Sequence, residues 1–141
     1  MIRYVDSGDK AGWYTLDHDF PESGFEEKVR NRQGYVFLED GNIVGILRFN
    51  LFWDSIPFCN MLYIREGHRG RGNGTQLMER WERDMLDAGC GMVMLSTQVD
   101  ETAQFFYRKL GYKDAGGFVV DIPGYEQPMD MIMLKGLSAG D

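Results

Sequence analysis

The stretch Arg69-Gly70-Arg71-Gly72-Asn73-Gly74-Thr75 divides the sequence into two patterns, because a region rich in strand-forming residues ends just before it and a helical pattern begins after it. Beyond the stretch, apolar residues recur at helical spacing until Ala88-Gly89 closes the segment. A glycine-rich loop that opens a helix leaves backbone N–H groups unpaired at the positive end of the helix dipole. Arg65, Arg69 and Arg71 gather at this place, so the stretch predicts a pocket for an anion.

Two nucleotide-binding patterns fail at this loop. The P-loop pattern G-x-x-x-x-G-K-[ST] lacks its Lys, since no Lys follows the glycines that begin at Gly70. The dinucleotide pattern G-x-G-x-x-G begins at Gly70 and Gly72 but has Thr75 in place of the third Gly. The loop also follows a meander and does not open a βαβ unit, which further disfavours a Rossmann site.

The regions on either side of the loop predict an α+β fold with a mixed central sheet. Before the loop, the patterns predict one strand, two short helices and then three strands joined as an antiparallel meander. After the loop, they predict a helix, a strand, a second helix and the final strands. The predicted strands span residues 2–5, 34–39, 43–53, 58–65, 92–97, 118–122 and 129–134, with strand character also from 112 onward, and two of the helices span 25–32 and 100–110.

The composition limits the protein class. A chain of 141 residues, 43% of them hydrophobic, predicts one domain over residues 1–141. Lys and Arg total 15 against 22 Asp and Glu, and a formal charge of −7 argues against nucleic-acid binding. Cys59 and Cys90 match no metal-ligand or disulfide spacing, so no metal is expected. Without an export signal or a membrane-length apolar run, we expect a cytoplasmic protein.

Two motifs together carry a family resemblance. The loop matches R-x-x-G-x-G at Arg69, Gly72 and Gly74, and the segment Ala103-Gln-Phe-Phe-Tyr107-Arg-Lys-Leu-Gly111-Tyr112 matches A-x-x-x-Y-x-K-x-G-[FY]. With both motifs at this spacing, the sequence resembles the GNAT superfamily of N-acetyltransferases over nearly the whole chain. The resemblance implies a GNAT-like fold, in which a mixed, mostly antiparallel sheet of about six to seven strands is flanked by about four helices.

The resemblance also implies an activity and its residues. The expected function is acetyl-CoA-dependent transfer of an acetyl group to a primary amine, by direct attack in a ternary complex. Tyr107 is the expected catalytic residue, as the general acid that protonates the leaving thiolate of coenzyme A. The resemblance implies that loop amides bind the pyrophosphate and that a strand pairs with the pantetheine arm. The expected cofactor-binding residues are Leu62, Tyr63, Ile64, Arg69, Gly70, Arg71, Gly72, Asn73, Gly74, Thr75 and Asp100.

Two departures from the family pattern leave alternatives open. Asp100 stands where relatives commonly carry an Asn that touches the cofactor, and it could instead cap the helix that follows. No carboxylate marks the general base, since Asp54 and Glu66 are the nearest acids and neither is assigned that role. The alternative function is therefore a non-catalytic acyl-CoA-binding sensor or interaction domain.

The acceptor is predicted only as a class, a small-molecule or peptide amine. The acidic run at residues 17–27, which includes Asp17, Asp19 and Glu22, would attract a cationic amine, or it forms an ordinary solvated face. The apolar runs at residues 118–122 and 129–134 would allow a homodimer through the late strands.

Overall fold

The computed structural model describes residues 1–139, so the last two residues of the predicted 1–141 domain lie outside the described part. Within that part, seven strands form one mostly antiparallel sheet, with four α-helices, which confirms the predicted α+β fold. The sheet order is β1-β2-β3-β4-β5-β7-β6. The elements are β1 (Ile2–Tyr4), a 3₁₀ turn (Ser7–Asp9), α1 (Lys10–Tyr14), α2 (Glu22–Asn31), β2 (Gly34–Glu39), β3 (Asn42–Phe52), β4 (Ile56–Ile64), α3 (Asn73–Asp87), β5 (Met92–Gln98), α4 (Ala103–Lys109), β6 (Lys113–Phe118) and β7 (Asp130–Gly136).

The predicted strand at residues 118–122 is wrong. The ladder between β6 and β7 ends where Phe118 pairs with Asp130, which is the first residue of β7. Because no residue of β7 precedes Asp130, the β-branched residues Val119 and Ile122 have no partner in that ladder, and their side chains are exposed. The helix predicted at 25–32 also begins earlier than expected, at Glu22.

Two compact units make up the described chain, and the first comprises Met1–Asn50 and Cys59–Asp84. Its hydrophobic cluster centres on Trp13, whose ring meets Phe25 edge-on with centroids 5.9 Å apart. The apolar face of α3 is fully buried in this unit through Leu77, Met78 and Trp81. The helical pattern read from the sequence therefore corresponds to a core face of the helix.

Gly45 on β3 allows a close approach inside the first unit. A Cβ built at Gly45 would lie 2.8 Å from Cδ1 of Ile64 and 3.2 Å from Cδ1 of Leu77. These two side chains belong to the strand before the glycine-rich loop and to the helix after it. The missing side chain of Gly45 thus lets the elements on both sides of the loop pack against β3.

The second unit comprises Leu51–Phe58 and Met85–Asp141. Its strands β5, β7 and β6 pair antiparallel around the buried residues Val93, Leu95 and Met133. Most of the protein's exposed large hydrophobic residues lie in this unit, whereas Met1 and Tyr63 are those of the first unit. The exposed large hydrophobic residues of the second unit are Leu51, Phe52, Trp53, Val99, Phe105, Phe118, Val119, Ile122, Tyr125 and Met129.

The tip of the hairpin between β3 and β4 has an unusual composition for its shape. Trp53 and Asp54 both adopt positive φ angles, 54° and 62°, and the N–H of Ser55 donates to the carbonyl of Phe52 at 3.2 Å. Two consecutive left-handed residues are typical of a type I′ turn, which usually carries Asn-Gly. The turn leaves the Trp53 side chain 78% exposed.

Candidate functional site

The last three residues of β4 are those predicted to pair with the pantetheine arm. Ile64 is buried, Leu62 is half-buried and Tyr63 is exposed, as expected when successive side chains point to opposite faces of a sheet. The guanidinium of Arg69 lies over the Tyr63 ring, 5.0 Å from its centroid, and its Nε donates to the carbonyl of Ile64 at 2.8 Å. Arg69 therefore folds back on the strand that precedes the loop.

The loop requires glycine for its backbone conformation. Gly70 and Gly72 have φ angles of +76° and +79°, a region that other residues adopt at a cost. The positions where their Cβ atoms would project are open, with no atom within 4 Å. The N–H of Gln76 donates to the carbonyl of Gly72 at 3.0 Å, which begins the helical hydrogen bonding of α3. The loop thus meets the N-terminus of a 15-residue helix with open space around its backbone, which is the setting of an anion site.

The three predicted basic residues differ in what they contact. Arg65 makes internal contacts, because its Nη2 donates to Oγ1 of Thr15 at 2.7 Å and to the carbonyl of Ile43 at 3.1 Å. Arg71 has 59% of its side chain exposed, and its Nη1 lies 3.8 Å from Oε2 of Glu39. Arg71 is therefore better placed than Arg65 to meet an anion from solvent.

Glu39, the last residue of β2, contacts the loop through both carboxylate oxygens. Its Oε2 lies 2.9 Å from Nδ1 of His68, and its Oε1 accepts a hydrogen bond from Nδ2 of Asn73 at 3.2 Å. The hydrogen bond with His68 lowers the pKa of Glu39 against the opposing effect of burial, with further help from Asn73 and the charge of Arg71. Sequence reasoning missed Glu39 because 29 residues separate it from His68, and its place before the Asp40-Gly41 turn gives no signal of this contact.

Tyr107, in the second unit, lies on α4 with its side chain buried. Its ring meets that of Tyr112 edge-on at 6.0 Å and that of Phe106 at 5.2 Å. The helix ends through Gly111, whose φ is +98°, and the N–H of Tyr112 then donates to the carbonyl of Tyr107 at 3.1 Å. The Gly-Tyr pair of the second motif therefore turns the chain so that Tyr112 packs on the predicted catalytic side chain.

Asp100 does not cap α4, so that interpretation is wrong. The helix begins at Ala103, with Thr102 at the N-cap position and no side-chain hydrogen bond there. Asp100 lies in the preceding turn, where the N–H of Glu101 donates to the carbonyl of Gln98 at 3.0 Å. The shorter helix places Asp100 too far before the first turn to reach its unpaired N–H groups in the way an N-cap does.

The acidic run is partly neutralised within the first unit. Asp17 is buried, and its Oδ2 accepts hydrogen bonds from Nε1 of Trp13 at 3.1 Å and from Nε of Arg48 at 2.9 Å. Glu22 forms an ion pair with Lys10. Asp17 is therefore not available to attract a cationic acceptor from solvent, whereas Asp19 is exposed.

The remaining reactive side chains do not suggest another chemistry. Burial raises the pKa of Cys59 to about 12, so its thiol stays protonated at neutral pH and is a poor nucleophile. Within residues 1–139, no three His, Cys, Asp or Glu side chains lie together in a way that would hold a metal ion. Nor does that part of the chain contain a helix with the length and apolar character needed to cross a bilayer.

The fold places a glycine-rich loop at the N-terminus of its longest helix, α3. The family described as Acetyltransferase (GNAT) family matches residues 4–112, a range that includes the loop, β4 and Tyr107. The chain therefore belongs to the GNAT acetyltransferase family. Membership implies acetyl transfer that depends on an acyl-CoA donor.

Solved structures share the fold. Ard1 from Thermoplasma volcanium has a TM-score of 0.83 at 18% identity, covering 98% of this chain and 97% of that chain. The NatB acetyltransferase complex bound to CoA and MES gives 0.82 at 17% identity, with 98% and 99% covered. The ribosomal-protein-S18-alanine N-acetyltransferase from Escherichia coli gives 0.79 at 17% identity, with 100% and 96% covered. At these identities the similarity establishes the fold alone.

Proposed function

We propose that this protein is an N-acetyltransferase that moves the acetyl group of acetyl-CoA to a primary amine by direct attack in a ternary complex. The observation that carries the proposal is the loop of residues 69–75, in which Gly70 and Gly72 hold left-handed backbone with open space beside them at the N-terminus of α3. The loop lies inside the region that matches the family, and a relative of the same fold is described with CoA bound.

The residues of the first unit fit acetyl-CoA as a substrate. The backbone N–H groups from Gly70 to Thr75 would bind its diphosphate, since unpaired amides and the helix dipole favour an anion there. Arg71 would add a charge-assisted contact from its exposed position. The end of β4, from Leu62 to Ile64, would pair its backbone with the amides of the pantetheine arm, as an added strand does.

Tyr107 supplies the proton for the leaving group in this proposal. The amine nitrogen forms a bond to the carbonyl carbon, the C–S bond breaks, and the phenol proton of Tyr107 passes to the sulfur. A phenol with a pKa of about 10 can protonate a thiolate whose conjugate acid has a pKa of about 8.5 as charge develops on it. The amine loses a proton to solvent and the Tyr107 phenolate takes one up from solvent, so the protons balance, and no side chain is assigned as the base.

The acceptor that we propose to test first is a peptide amine. The Escherichia coli relative is named for an alanine of a ribosomal protein, and Ard1 and NatB share the same fold with this chain. Small-molecule amines remain the other half of the predicted class.

The exposed Phe118 and Val119 support the prediction of a homodimer through the late strands, which sedimentation at several protein concentrations would test.

The decisive experiment has two readouts, calorimetric binding of acetyl-CoA and release of free thiol over a panel of peptide and small-molecule amines. Binding with amine-dependent thiol release supports the enzyme. Binding without release for any amine supports the alternative, a non-catalytic acyl-CoA-binding domain. The absence of binding to both acetyl-CoA and CoA contradicts both functions.

The role of Tyr107 has its own test. Tyr107→Phe is expected to lower kcat by more than about tenfold, with acetyl-CoA affinity nearly unchanged, because the general acid acts only in the transition state. Tyr14→Phe is the matched control, since the buried Tyr14 hydroxyl has no hydrogen-bond partner within residues 1–139. A kcat that Tyr107→Phe leaves at the wild-type value would remove Tyr107 from the mechanism.

A further inference from the structure

The carboxylate of Glu39 joins three residues of the loop and the helix start within the first unit. Its oxygens lie 2.9 Å from Nδ1 of His68, 3.2 Å from Nδ2 of Asn73 and 3.8 Å from Nη1 of Arg71. Because an ionised carboxylate only accepts hydrogen bonds, Nδ1 of His68 is the donor in the first of these contacts. Glu39 thus reaches one residue before the two glycines, one between them and one after them.

Asn73 completes the same network from the helix. Its side chain is buried, and its Nδ2 donates both to Oε1 of Glu39 at 3.2 Å and to the carbonyl of His68 at 3.0 Å. An amide nitrogen has two hydrogens, so both donors of Asn73 are used to connect β2, the loop and the start of α3. Side-chain hydrogen bonds therefore connect the two ends of the loop, and Glu39 is the member of this network that comes from β2.

A carboxylate beside an anion site is unfavourable by its charge alone. Like charges repel, and Glu39 lies close to the arginine that is best placed to meet a phosphate. Its contribution must then come from geometry, through the hydrogen bonds that hold His68 and Asn73. Charge and geometry can be separated with a glutamine at this position, which removes the charge. Its Oε1 can accept from Nδ2 of Asn73, and its Nε2 can donate to Nδ1 of a neutral His68 whose ring proton is on Nε2.

We propose that Glu39 is a positioning residue for the acyl-CoA site and that it holds the loop of residues 69–75 in the shape that binds the diphosphate. The inference rests on the proposed function, because it assigns the loop to an acyl-CoA. Glu39 touches neither the donor nor the acceptor, and it acts through His68 and Asn73. Its removal therefore affects binding of the donor and not the chemical step.

The test compares Glu39→Ala with Glu39→Gln in the full chain, by calorimetry with CoA and by steady-state kinetics. Glu39→Ala is expected to raise the Kd for CoA and the KM for acetyl-CoA by about tenfold, with kcat changed by less than about twofold. Glu39→Gln is expected to bring both constants back to within about threefold of wild type, because it restores the hydrogen bonds. Asp40→Asn is the charge control, since it removes a neighbouring acid outside the network.

A double-mutant cycle separates positioning from general stability. Glu39→Ala and Asn73→Ala act on the same hydrogen bond, so their effects on the Kd for CoA are expected to be less than additive. If Glu39→Ala fails to fold, His68→Ala takes its place in the test, because it removes the hydrogen bond between Nδ1 of His68 and the Glu39 carboxylate. It is then expected to raise the Kd for CoA by about threefold or more.

The outcomes distinguish this inference from the proposed function. Wild-type protein that binds CoA, together with a Glu39→Ala variant of unchanged Kd, overturns the role of Glu39 and leaves the function intact. A Glu39→Gln variant as weak as Glu39→Ala also overturns it, because the charge would then be what matters. Wild-type protein that binds no CoA overturns the proposed function, and the role of Glu39 with it.

Discussion

Two irregular segments of the protein differ in how their shapes are held. Residues 66–72 are fixed by side chains from other elements, since Glu39 and Asn73 bind the loop at His68. Residues 119–128 carry hydrogen bonds within their own turn, where the N–H of Tyr125 donates to the carbonyl of Ile122 and the N–H of Gly124 donates to Glu126. The first segment is therefore held in one shape by other parts of its unit, as the proposed binding site requires, whereas the second presents exposed apolar side chains on a locally formed turn.

Matched glycine substitutions should give the largest difference between the two segments. Gly72 and Gly124 have φ angles of +79° and +87°, and a Cβ at either meets no atom within 4 Å. Valine at either position stores backbone strain of about 1–3 kcal/mol. Gly72→Val is expected to weaken CoA binding by about a hundredfold or more, which corresponds to ~2.7 kcal/mol, whereas Gly124→Val leaves affinity within about twofold. Calorimetry measures both, and equal losses of affinity would contradict the assignment of the site to residues 69–75.

The packing beneath the loop gives the next largest effect. Gly45→Ala places a methyl group 2.8 Å from Ile64 and 3.2 Å from Leu77, so the free energy of unfolding is expected to fall by about 1–3 kcal/mol. Gly91→Ala is the control, because its Cβ meets no atom within 4 Å and its φ is not positive. Urea denaturation compares the two variants, and equal stabilities would show that the close approach at Gly45 relaxes without cost.

Acid should weaken the network that holds the first segment. The pKa of Glu39 lies below its ordinary value of 4.5, chiefly because of the hydrogen bond with His68. A carboxyl group whose pKa is lower in the folded state stabilises the fold above its unfolded pKa, and this contribution disappears as the pH falls through the lower folded value. The stability difference between wild type and Glu39→Gln is therefore expected to shrink as the pH falls below about 4.5.

Urea denaturation of both proteins across this range measures the difference. The control compares His68→Ala with the double variant His68→Ala and Glu39→Gln, because both lack the hydrogen bond that is the main cause of the lowered pKa of Glu39. A stability difference that does not change with pH would show that folding does not favour the ionised form of Glu39.

The smallest effect is expected in the second segment. Serine at Val119, Ile122 and Tyr125 removes side chains that are 68%, 59% and 73% exposed. Each replacement is expected to change the free energy of unfolding by less than about 0.5 kcal/mol, because surface substitutions away from packed features are usually near neutral. A larger loss in urea denaturation would mean that these side chains are packed in solution, for example against a second copy of the chain.

The sequence was most informative where turns and helices depend on local pattern. The glycines at 70 and 72 were identified from spacing, and the structure gives both left-handed φ angles. The helix predicted at residues 100–110 is present from Ala103 to Lys109, and Tyr107 is buried on it. Local patterns carry this information because turn geometry and helical periodicity depend on neighbours in the chain.

The sequence failed where partners are distant or where composition misled. The ion pair of Asp17 with Arg48 joins residues 31 positions apart, and no local pattern predicts it. Val119 and Ile122 have strand-forming side chains, but β7 begins too late to pair with them, and tertiary context overrides propensity. Asp100 is a good capping residue by type, yet the helix begins three residues later.

The turn at Trp53 and Asp54 gives the protein an intrinsic optical probe. The other two indoles, Trp13 and Trp81, are shielded from water, whereas that of Trp53 is largely accessible. A water-borne quencher such as iodide should therefore extinguish the emission of Trp53 and spare the rest. The residual blue-shifted fluorescence then reports on the interior, so a single spectrum can follow the hairpin tip and the core separately.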